Sequence, residues 1–439
     1  MDGTTLDRWG RVEPHPAGAE LRVGVWPGID PAASLLGGDR RRVARPAPVT
    51  TDVERLAGLA EAAQLRGRGG AGFPFAVKLR TVDQHARTSG RSAVAVLNGE
   101  EGEPASAKDR VLMTLRPELA LRGLGLVAGA LGAERSFAYV SDRLARERLT
   151  TAALATAAAG HGDLAGLHVV DAPAGYVSGE ESAVVRALSG GPAKPTHKPP
   201  RAFEAGVDGL PTLVSNVETL AHLARLVEDG GRHTPSVLLT LVGDRGDRAV
   251  VEVPDSVTLR EVLIWQGIDP ARHRYDVLLG GFFGRLIKPR TLWRTMRDLA
   301  SRQYADTLGC GVVLVLHDTC PVTAVAEILH HLDLQNAQQC GPCFKGIPSM
   351  AGVVDDLAHG RAGREDLVRL AGWGTGLRGR GACGTLDAAC GVVTSLLERR
   401  GELVARHLTR PCRRCAEHPE RPPATSFAVP WPADIKEQT

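Results

Sequence analysis

Apolar positions in the first half of the chain switch repeatedly between helix-like and strand-like spacing. Leu56, Leu59, Ala60 and Ala63 lie at helical spacing and predict a helix over residues 53–65. The pattern then predicts strands at 92–97, 136–140 and 167–170, and helices at about 117–132, 144–159 and 182–188. Strands that alternate with helices are typical of an α/β domain with a largely parallel sheet, here residues 53–235.

The second half of the chain has a different pattern. Short strands at 236–242, 249–253 and 277–279 and a capped helix at 258–266 predict a small β-grasp-like domain over 236–322. Residues 323–410 are nearly all helical, with Val325, Ile328, Leu329 and Leu332 on one face and further helices near 350–358, 365–371 and 386–399. We expect residues 1–52 to form an irregular arm around the first domain and 411–439 to form an extended tail.

Composition and charge narrow the class of protein. The chain has 439 residues, of which 43% are hydrophobic and 23% charged, as in globular proteins of several domains. A net charge of +3 argues against nucleic acid or an anionic membrane surface as partner. No apolar run reaches the roughly 18–20 residues that span a bilayer, and residues 1–14 lack the apolar segment of a signal peptide. We therefore expect no membrane insertion and a cytoplasmic location.

The cysteines are concentrated in one part of the chain. All eight lie at or beyond Cys310. A disulfide framework usually spreads its cysteines, whereas a metal or cluster module concentrates them. This distribution predicts a thiolate site in the C-terminal region and a reducing compartment.

A glycine-rich loop and two acidic loops are the candidate ligand site. Residues 67–72 match G-x-G-x-x-G, but a helix precedes them and no acidic residue follows at 87–92, so the Rossmann interpretation fails. Such glycines still let backbone N–H groups approach a phosphate or a flat ring, although a flexible surface loop is the alternative. Two carboxylate clusters, Glu100, Glu101 and Glu103, and Glu180 and Glu181, follow predicted strands, where ligands bind in parallel sheets.

Several motifs together resemble a known family. Residues 65–74, 98–110, 176–181, 198–200 and 216–220 are similar to the flavin and NADH motifs of the NADH-oxidising flavoprotein subunit of respiratory complex I, a family that includes subunits of soluble hydrogenases and formate dehydrogenases. The resemblance covers roughly residues 55–400. It implies an FMN-binding α/β domain without the Rossmann fingerprint, a ubiquitin-like β-grasp domain, and a helical bundle that holds a [4Fe–4S] cluster.

The resemblance also assigns residues to cofactors. FMN would contact Gly67, Gly69, Gly70, Lys78, Asn98, Glu100, Gly179, Glu180, Asn216 and Thr219. NAD(H), the substrate, would stack on the flavin with Phe73, Glu103, Glu181 and Lys198 around it. Hydride would pass from the nicotinamide to the flavin, which would release electrons singly to the cluster.

The chain departs from the family pattern at the nucleotide and at the cluster. Thr81 and Arg201 stand where the family has aromatic residues that sandwich the adenine. Cys340, Cys343 and Cys383 match three cluster ligands, but Ala337 replaces the first of the usual four.

We expect the fourth ligand to come from Cys412 or Cys415 in the tail. The alternatives are a zinc site that these thiols form with His418 and another group, and an inert tail. Cys310, Cys320 and Cys390 are predicted to be structural.

The sequence thus predicts an NADH dehydrogenase-type flavoprotein that passes electrons between NAD(P)H and a ferredoxin-like or iron–sulfur partner within a hetero-oligomer. One alternative is a subunit that takes electrons from a reduced protein instead of NADH. The other is a scaffold subunit that has lost a cofactor.

Overall fold

A computed structural model describes residues 10–11, 21–37, 52–158, 164, 166–269, 275–301, 307–416 and 427–429. The strands are β1 (Gly10–Arg11), β2 (Leu21–Val25), β3 (Val94–Asn98), β4 (Arg135–Val140), β5 (Leu167–Asp171), β6 (Thr212–Asn216), β7 (Ser236–Gly243), β8 (Arg248–Pro254), β9 (Asp276–Leu279), β10 (Arg285–Leu286) and β11 (Val312–Leu316). The helices are α1 (Val53–Ala62), α2 (Phe75–Ser89), α3 (Lys108–Leu115), α4 (Pro117–Leu131), α5 (Arg143–Ala158), α6 (Glu181–Leu188), α7 (Ala202–Ala205), α8 (Val217–Glu228), α9 (Leu259–Trp265), α10 (Met296–Ala300), α11 (Pro321–Gln335), α12 (Ile347–Ala358), α13 (Arg364–Gly376), α14 (Thr385–Arg399), α15 (Gly401–His407) and α16 (Arg413–Ala416).

A four-stranded sheet in the order β5-β4-β3-β6 forms the centre of the first half, and all its pairs are parallel. The prediction of an α/β fold with a parallel sheet is therefore confirmed. Helices α4 and α8 cover it and pack closely against each other at Gly123. A Cβ there would lie 2.0 Å from the carbonyl oxygen of Leu220, so this contact requires glycine. The carboxyl ends of β3 and β6 lie side by side, with Asn98 opposite Asn216 in register. The loops that leave these strands therefore share one edge.

Helix α2 was not predicted from the sequence. The glycine loop leads directly into this helix, which begins at Phe75 after Pro74 and ends before Gly90 in the left-handed conformation. Phe75, Ala76, Leu79 and Val82 bury one face of it in the core of the first half.

A second sheet has seven strands in the order β1-β2-β8-β7-β11-β9-β10. β7 pairs with β8 antiparallel and with β11 parallel, and β9 pairs with β11 and β10 antiparallel. Helix α9 packs on one face through Leu259, Val262 and Leu263.

The arm predicted to be irregular and to wrap the first domain is partly regular. Leu35 does pack in the core of the first half, and Arg225 donates to the Ser34 carbonyl oxygen, but the segment before them forms a strand. Strand β2 pairs parallel with β8 and extends the second sheet. The chain then turns so that the Ser34 hydroxyl and the Leu35 amide donate to Glu252. The remaining residues of the arm lie outside the described ranges.

The C-terminal region is helical, as predicted. α11, α12 and α14 share one core that includes Ile328, Leu329, Val354 and Leu396. Residues 342–346 form a single π-helical turn that carries Cys343 into α12. No helix among the residues that the structure describes has the length and apolar character to cross a membrane.

Candidate functional site

A cavity of about 440 Å³ opens at the shared edge of the four-stranded sheet. Its walls come from the glycine loop, from the loops after β3 and β5, from the loop before β11, and from the turn that opens α14. Its size is within the range of small-molecule sites. The cavity therefore joins the sheet of the first half to the helical region.

Most of the residues assigned to FMN and NAD(H) line this cavity: Gly69, Gly70, Asn98, Glu100, Glu103, Gly179, Glu180 and Asn216. Gly67 lines a smaller neighbouring cavity of about 120 Å³, together with Gly70. The remaining assigned residues, Lys78, Thr219, Phe73, Glu181 and Lys198, stand outside the lining, and their contacts are described below.

The glycine loop is held against the start of α8. The backbone N–H of Arg68 donates to the Thr219 hydroxyl over 2.9 Å. Gly70 has φ +99°, a backbone conformation that is strained for any residue with a side chain. A Cβ on Gly69 would lie 3.5 Å from the Cβ of Asn216, so any longer side chain there competes with the cavity for space. Thr219 thus positions the loop from behind.

The acidic loop after β3 is largely buried. Burial raises the pKa of Glu100, whose carboxylate accepts from the Ser178 hydroxyl at 3.0 Å and the Gly175 amide at 3.3 Å. Burial also raises the pKa of Glu103 to about 8. The Glu103 carboxylate accepts from the Phe282 amide at 2.9 Å, which ties this loop to the second sheet.

A buried ionic network beside the cavity was not singled out from the sequence. Lys108 Nζ lies 2.6 Å from Asp109 Oδ1 and 2.9 Å from Glu218 Oε2. Burial alone would lower the pKa of Lys108, but the carboxylates of Asp109 and Glu218 outweigh it and hold the pKa above that of an ordinary lysine. Asn216 Nδ2 donates to Asp109 Oδ2 at 2.6 Å, which couples the network to β6. The available signal was the adjacent pair Lys108-Asp109 at the start of α3.

Two ion pairs lie on the outer side of the same loops. Lys78 Nζ is 2.6 Å from Glu181 and 2.7 Å from the Val214 carbonyl oxygen, and Lys198 pairs with Glu180. Phe73 projects from the glycine loop with 48% of its surface exposed. The Thr81 hydroxyl donates to the Val77 carbonyl at 2.8 Å, turned back on its own helix.

Cys340, Cys343 and Cys383 come together next to the cavity. Burial raises the pKa of Cys343, and the adjacent thiol of Cys340 and the charge of Cys383 raise it further. A Cβ on Gly381 would lie 3.8 Å from Cys343 Sγ, so the turn before α14 wraps closely around these thiols. Cys383, Gly384 and Thr385 also line the cavity. The three thiols therefore stand against its wall.

The prediction that the tail supplies a fourth ligand to these thiols is wrong. Cys412 and Cys415 group with Cys320 and His407, with all four ligand atoms within 4.8 Å of one another. Cys320 precedes α11 whereas Cys340 follows it, and this 15-residue helix is about 22 Å long. The tail thiols therefore lie at the opposite end of α11 from the other three. His418 lies outside the described residues.

Cys310 and Cys320, both predicted to be structural, each lie at a candidate site. Cys310 lines the cavity, where a Cβ on Gly70 would lie 3.7 Å from its backbone nitrogen. Cys320 is a member of the tail group. Cys390 is buried in α14, as predicted.

Comparison with known proteins agrees with this arrangement. Residues 60–225 match the family model described as Nuo51 FMN-binding domain, and residues 323–407 match NADH-ubiquinone oxidoreductase-F iron-sulfur binding region. The chain is 30% identical over 392 residues to an NADH-quinone oxidoreductase subunit of Rhizobium meliloti, a match that covers 83% of this chain and 91% of the relative. The chain belongs to the FMN-binding flavoprotein family of NADH-quinone oxidoreductase.

The relatives of the chain include hydrogenase subunits. NAD-reducing hydrogenase HoxS subunit alpha of Cupriavidus necator is 28% identical over 370 residues, which cover 79% of this chain but 59% of that subunit. A crystal structure of an NAD⁺-reducing [NiFe]-hydrogenase in the H2-reduced state superimposes with a TM-score of 0.75 at 29% identity, over 88% of this chain and 66% of that one.

Membership of this flavoprotein family fixes the broad activity of the chain. It is an oxidoreductase subunit that transfers electrons from NADH, with an FMN-binding domain and a helical [4Fe–4S] region. The glycine loop and the acidic loops of the cavity belong to the first of these, and the thiols of Cys340, Cys343 and Cys383 belong to the second.

Proposed function

We propose that FMN occupies the 440 Å³ cavity, takes a hydride from NADH or NADPH, and passes electrons to a cluster on Cys340, Cys343 and Cys383. The observation that carries the proposal is the shared wall, because the same cavity is lined by the glycine loop and by Cys383. A flavin there would stand directly against a cluster ligand.

The lining of the cavity fits a flavin. Arg68 Nε and the Tyr176 hydroxyl are buried there without a hydrogen-bond partner in the described parts of the chain, and buried polar groups normally have one. Backbone N–H groups of Gly69 and Gly70, with Arg68 and Lys108, would hold the phosphate. Asn98, Glu100 and Asn216 would accept from or donate to ribityl and ring atoms. Bound flavin supplies the conversion between two-electron and one-electron transfer.

The nucleotide would enter from the outer side of the glycine loop. Phe73 offers an exposed ring, and Lys78, Glu181 and Lys198 surround that entrance with paired charges. Tyr176, stacked on Phe283 with centroids 5.1 Å apart, closes the inner side and shields the reacting atoms from water.

Three cysteines fit an iron–sulfur cluster with one iron that lacks a cysteine ligand. The residue three positions before Cys340 is Ala337, whose methyl group cannot bind iron. We propose that water or another small ligand completes the cluster.

We also propose that residues 236–322 form a β-grasp module. The strand order β8-β7-β11-β9-β10 supports this, since two antiparallel pairs flank the parallel pair β7 and β11, and α9 covers one face. The Phe282 amide of this module donates to Glu103 in the loop after β3, and its Phe283 ring stacks on Tyr176. The module would therefore fix one wall of the cavity.

We propose a ferredoxin-like or iron–sulfur protein as electron partner within a hetero-oligomer. The relatives support this, since they are named as subunits of NADH-quinone oxidoreductase and of a hydrogenase. The eight free cysteines fit a reducing, cytoplasmic setting.

Anaerobic purification followed by rapid mixing with NADH or NADPH tests the proposal. We expect about one FMN per chain, an iron–sulfur absorbance, and bleaching of the flavin band by at least one nucleotide. Bleaching by neither nucleotide, but by a reduced ferredoxin, would establish the protein-donor alternative. A colourless protein would establish the scaffold alternative.

The variant Gly69→Leu tests whether the flavin binds in the 440 Å³ cavity. Its side chain would project toward Asn216 and fill the cavity, so we expect flavin occupancy to fall at least about tenfold. Gly58→Leu is the matched control, because Gly58 is exposed in α1 with open space around its Cβ position. Full flavin content in Gly69→Leu would disprove the assignment.

A further inference from the structure

The second group of thiols, at the start of α11, has the composition of a metal site. Cys320 immediately precedes α11, His407 is the last residue of α15, and Cys412 and Cys415 form a C-x2-C pair in the tail. His407, Cys320 and Cys415 are buried, with exposed fractions of 0%, 2% and 7%. Three thiols and one imidazole from three segments thus converge at one buried point.

The distances between the ligand atoms match a single tetrahedral ion. His407 Nε2 lies 3.6 Å from Cys320 Sγ and 3.4 Å from Cys415 Sγ, and the Sγ atoms of Cys412 and Cys415 are 3.5 Å apart. With Zn–S of about 2.3 Å and Zn–N of about 2.0 Å, tetrahedral geometry requires ligand atoms about 3.5–3.8 Å apart. A four-iron cluster would need a wider spread, because each ligand binds a different iron. A Cys412–Cys415 disulfide would need a sulfur separation of about 2.0 Å.

The histidine is oriented for metal binding. His407 Nδ1 lies 2.8 Å from the Leu403 carbonyl oxygen, which can only accept, so Nδ1 carries the proton. In the neutral ring, Nε2 then holds the lone pair, and it faces the three sulfurs. This is the usual second contact of a metal-bound histidine.

We propose that Cys320, His407, Cys412 and Cys415 bind one structural zinc ion. Four protein ligands leave no open position, which is the property of structural and not of catalytic zinc sites. The ion would fasten the start of the tail to the first turn of α11. Thr323 supports the arrangement, since its hydroxyl lies 3.1 Å from Cys415 Sγ.

The purified full chain, with flavin and iron–sulfur cluster in place, tests the proposal without any mutation. We expect about one zinc per chain by mass spectrometry, and a zinc X-ray absorption spectrum with about three sulfurs at 2.3 Å and one nitrogen at 2.0 Å. A wild-type protein without zinc after expression with added zinc would overturn the proposal. Iron at this site, or a Cys412–Cys415 disulfide found by mass spectrometry of alkylated protein, would also overturn it.

Variants then separate this site from the cluster. Cys412→Ser with Cys415→Ser should lower zinc at least about tenfold while iron and flavin stay at wild-type levels. Cys390→Ser is the matched control, because Cys390 is buried like Cys415 but lies in α14, where its thiol is 3.7 Å from the Trp373 carbonyl oxygen. This variant should keep the zinc content of wild type. Zinc retained in the double variant would overturn the site. If the double variant lost iron and kept zinc, the tail thiols would instead be ligands of the iron–sulfur cluster.

Discussion

Lys108 is among the least exposed side chains of the molecule, although it carries a charge. Its position is stable because the carboxylates of Asp109 and Glu218 lie within 3 Å of its Nζ. Lys108 in turn is the main influence that lowers the pKa of Glu218 to about 2, against the effect of burial. The three residues therefore act as one unit, and Lys108 and Asp109 form part of the cavity wall.

Lys108→Met should destabilise the protein strongly. It leaves the buried carboxylate of Asp109 without its cation and leaves Glu218 with the more distant Arg68, whose Nε is 3.7 Å away. Breaking a buried ion pair in this way costs about 3–5 kcal/mol. We expect a clearly lower urea midpoint, in flavin-free protein as well as in the flavin-loaded protein. Adding Glu218→Gln should recover part of the loss, because it removes one of the two carboxylates that Lys108 neutralised. An unchanged midpoint in the single variant would show that the network contributes little.

The loop after β3 is one of the elements that connect the two sheets. Glu103 lies in the middle of this loop. Its carboxylate accepts from the Phe282 amide, and a Cβ on Gly281 would lie 2.6 Å from its carboxyl carbon. Only glycine fits at position 281, so the carboxyl group is held in a tight, buried contact with the second sheet. That contact makes stability depend on pH.

Burial raises the pKa of Glu103 from its usual 4.5 to about 8. Between these values the unfolded chain has lost the proton that the folded chain keeps, so stability falls as pH rises through this window. Glu103→Gln mimics the protonated form, and its thermal midpoint should match wild type near pH 5 and exceed it increasingly up to pH 9. The exposed Glu365→Gln is the control, and parallel curves for Glu103→Gln and wild type would contradict the assignment.

In the proposed binding mode, helix α2 and the segment around Arg201 would together set nucleotide affinity, with Thr81 and Arg201 in place of stacking aromatics. Each good stack contributes about 0.5–1.5 kcal/mol, so Thr81→Phe with Arg201→Phe should tighten NADH binding about tenfold to a hundredfold. Wild type should show slow flavin reduction at low NADH, with a relative preference for NADPH if Arg201 meets the extra phosphate. Stopped-flow titration measures both.

Thr88→Phe is the matched control for that double variant. Thr88 lies on the same helix and makes the same backbone contact one turn back, to Gln84. Wild-type saturation at micromolar NADH would show that the missing aromatics have no effect.

At the scale of the whole molecule, sequence patterns predicted single helices and strands but did not predict which distant segments pair. Helix α4 and strands β3 to β5 lie within two residues of their predicted bounds, because their periodicity is long and apolar. Helix α2 was missed because its sequence is polar and follows Phe73-Pro74. The pairing of β2 with β8 joins segments more than 200 residues apart, and nothing in either strand specifies the other.

The same limit applies to the sites. The glycine and acidic loops were found because short motifs carry them, and most of their assigned residues line one cavity. The group around His407 was missed because Cys320 lies 87 residues from it in sequence. C-x2-C alone indicated a metal site, and only the fold supplied its other two ligands.

In the proposed function, electron flow within this chain would end at a cluster on Cys340, Cys343 and Cys383, and Ala337→Cys tests this three-cysteine ligation. Position 337 is half-buried and stands three residues before Cys340, as Cys340 stands three before Cys343. A cluster with three thiolates holds its fourth iron weakly, so exposure of wild type to air should leave about three irons and a three-iron paramagnetic signal. Ala337→Cys should keep about four irons and lack that signal, while Ala371→Cys, an exposed position on α13, should behave as wild type. Four irons that survive air equally in wild type and Ala337→Cys would mean that a strong ligand other than cysteine completes the cluster.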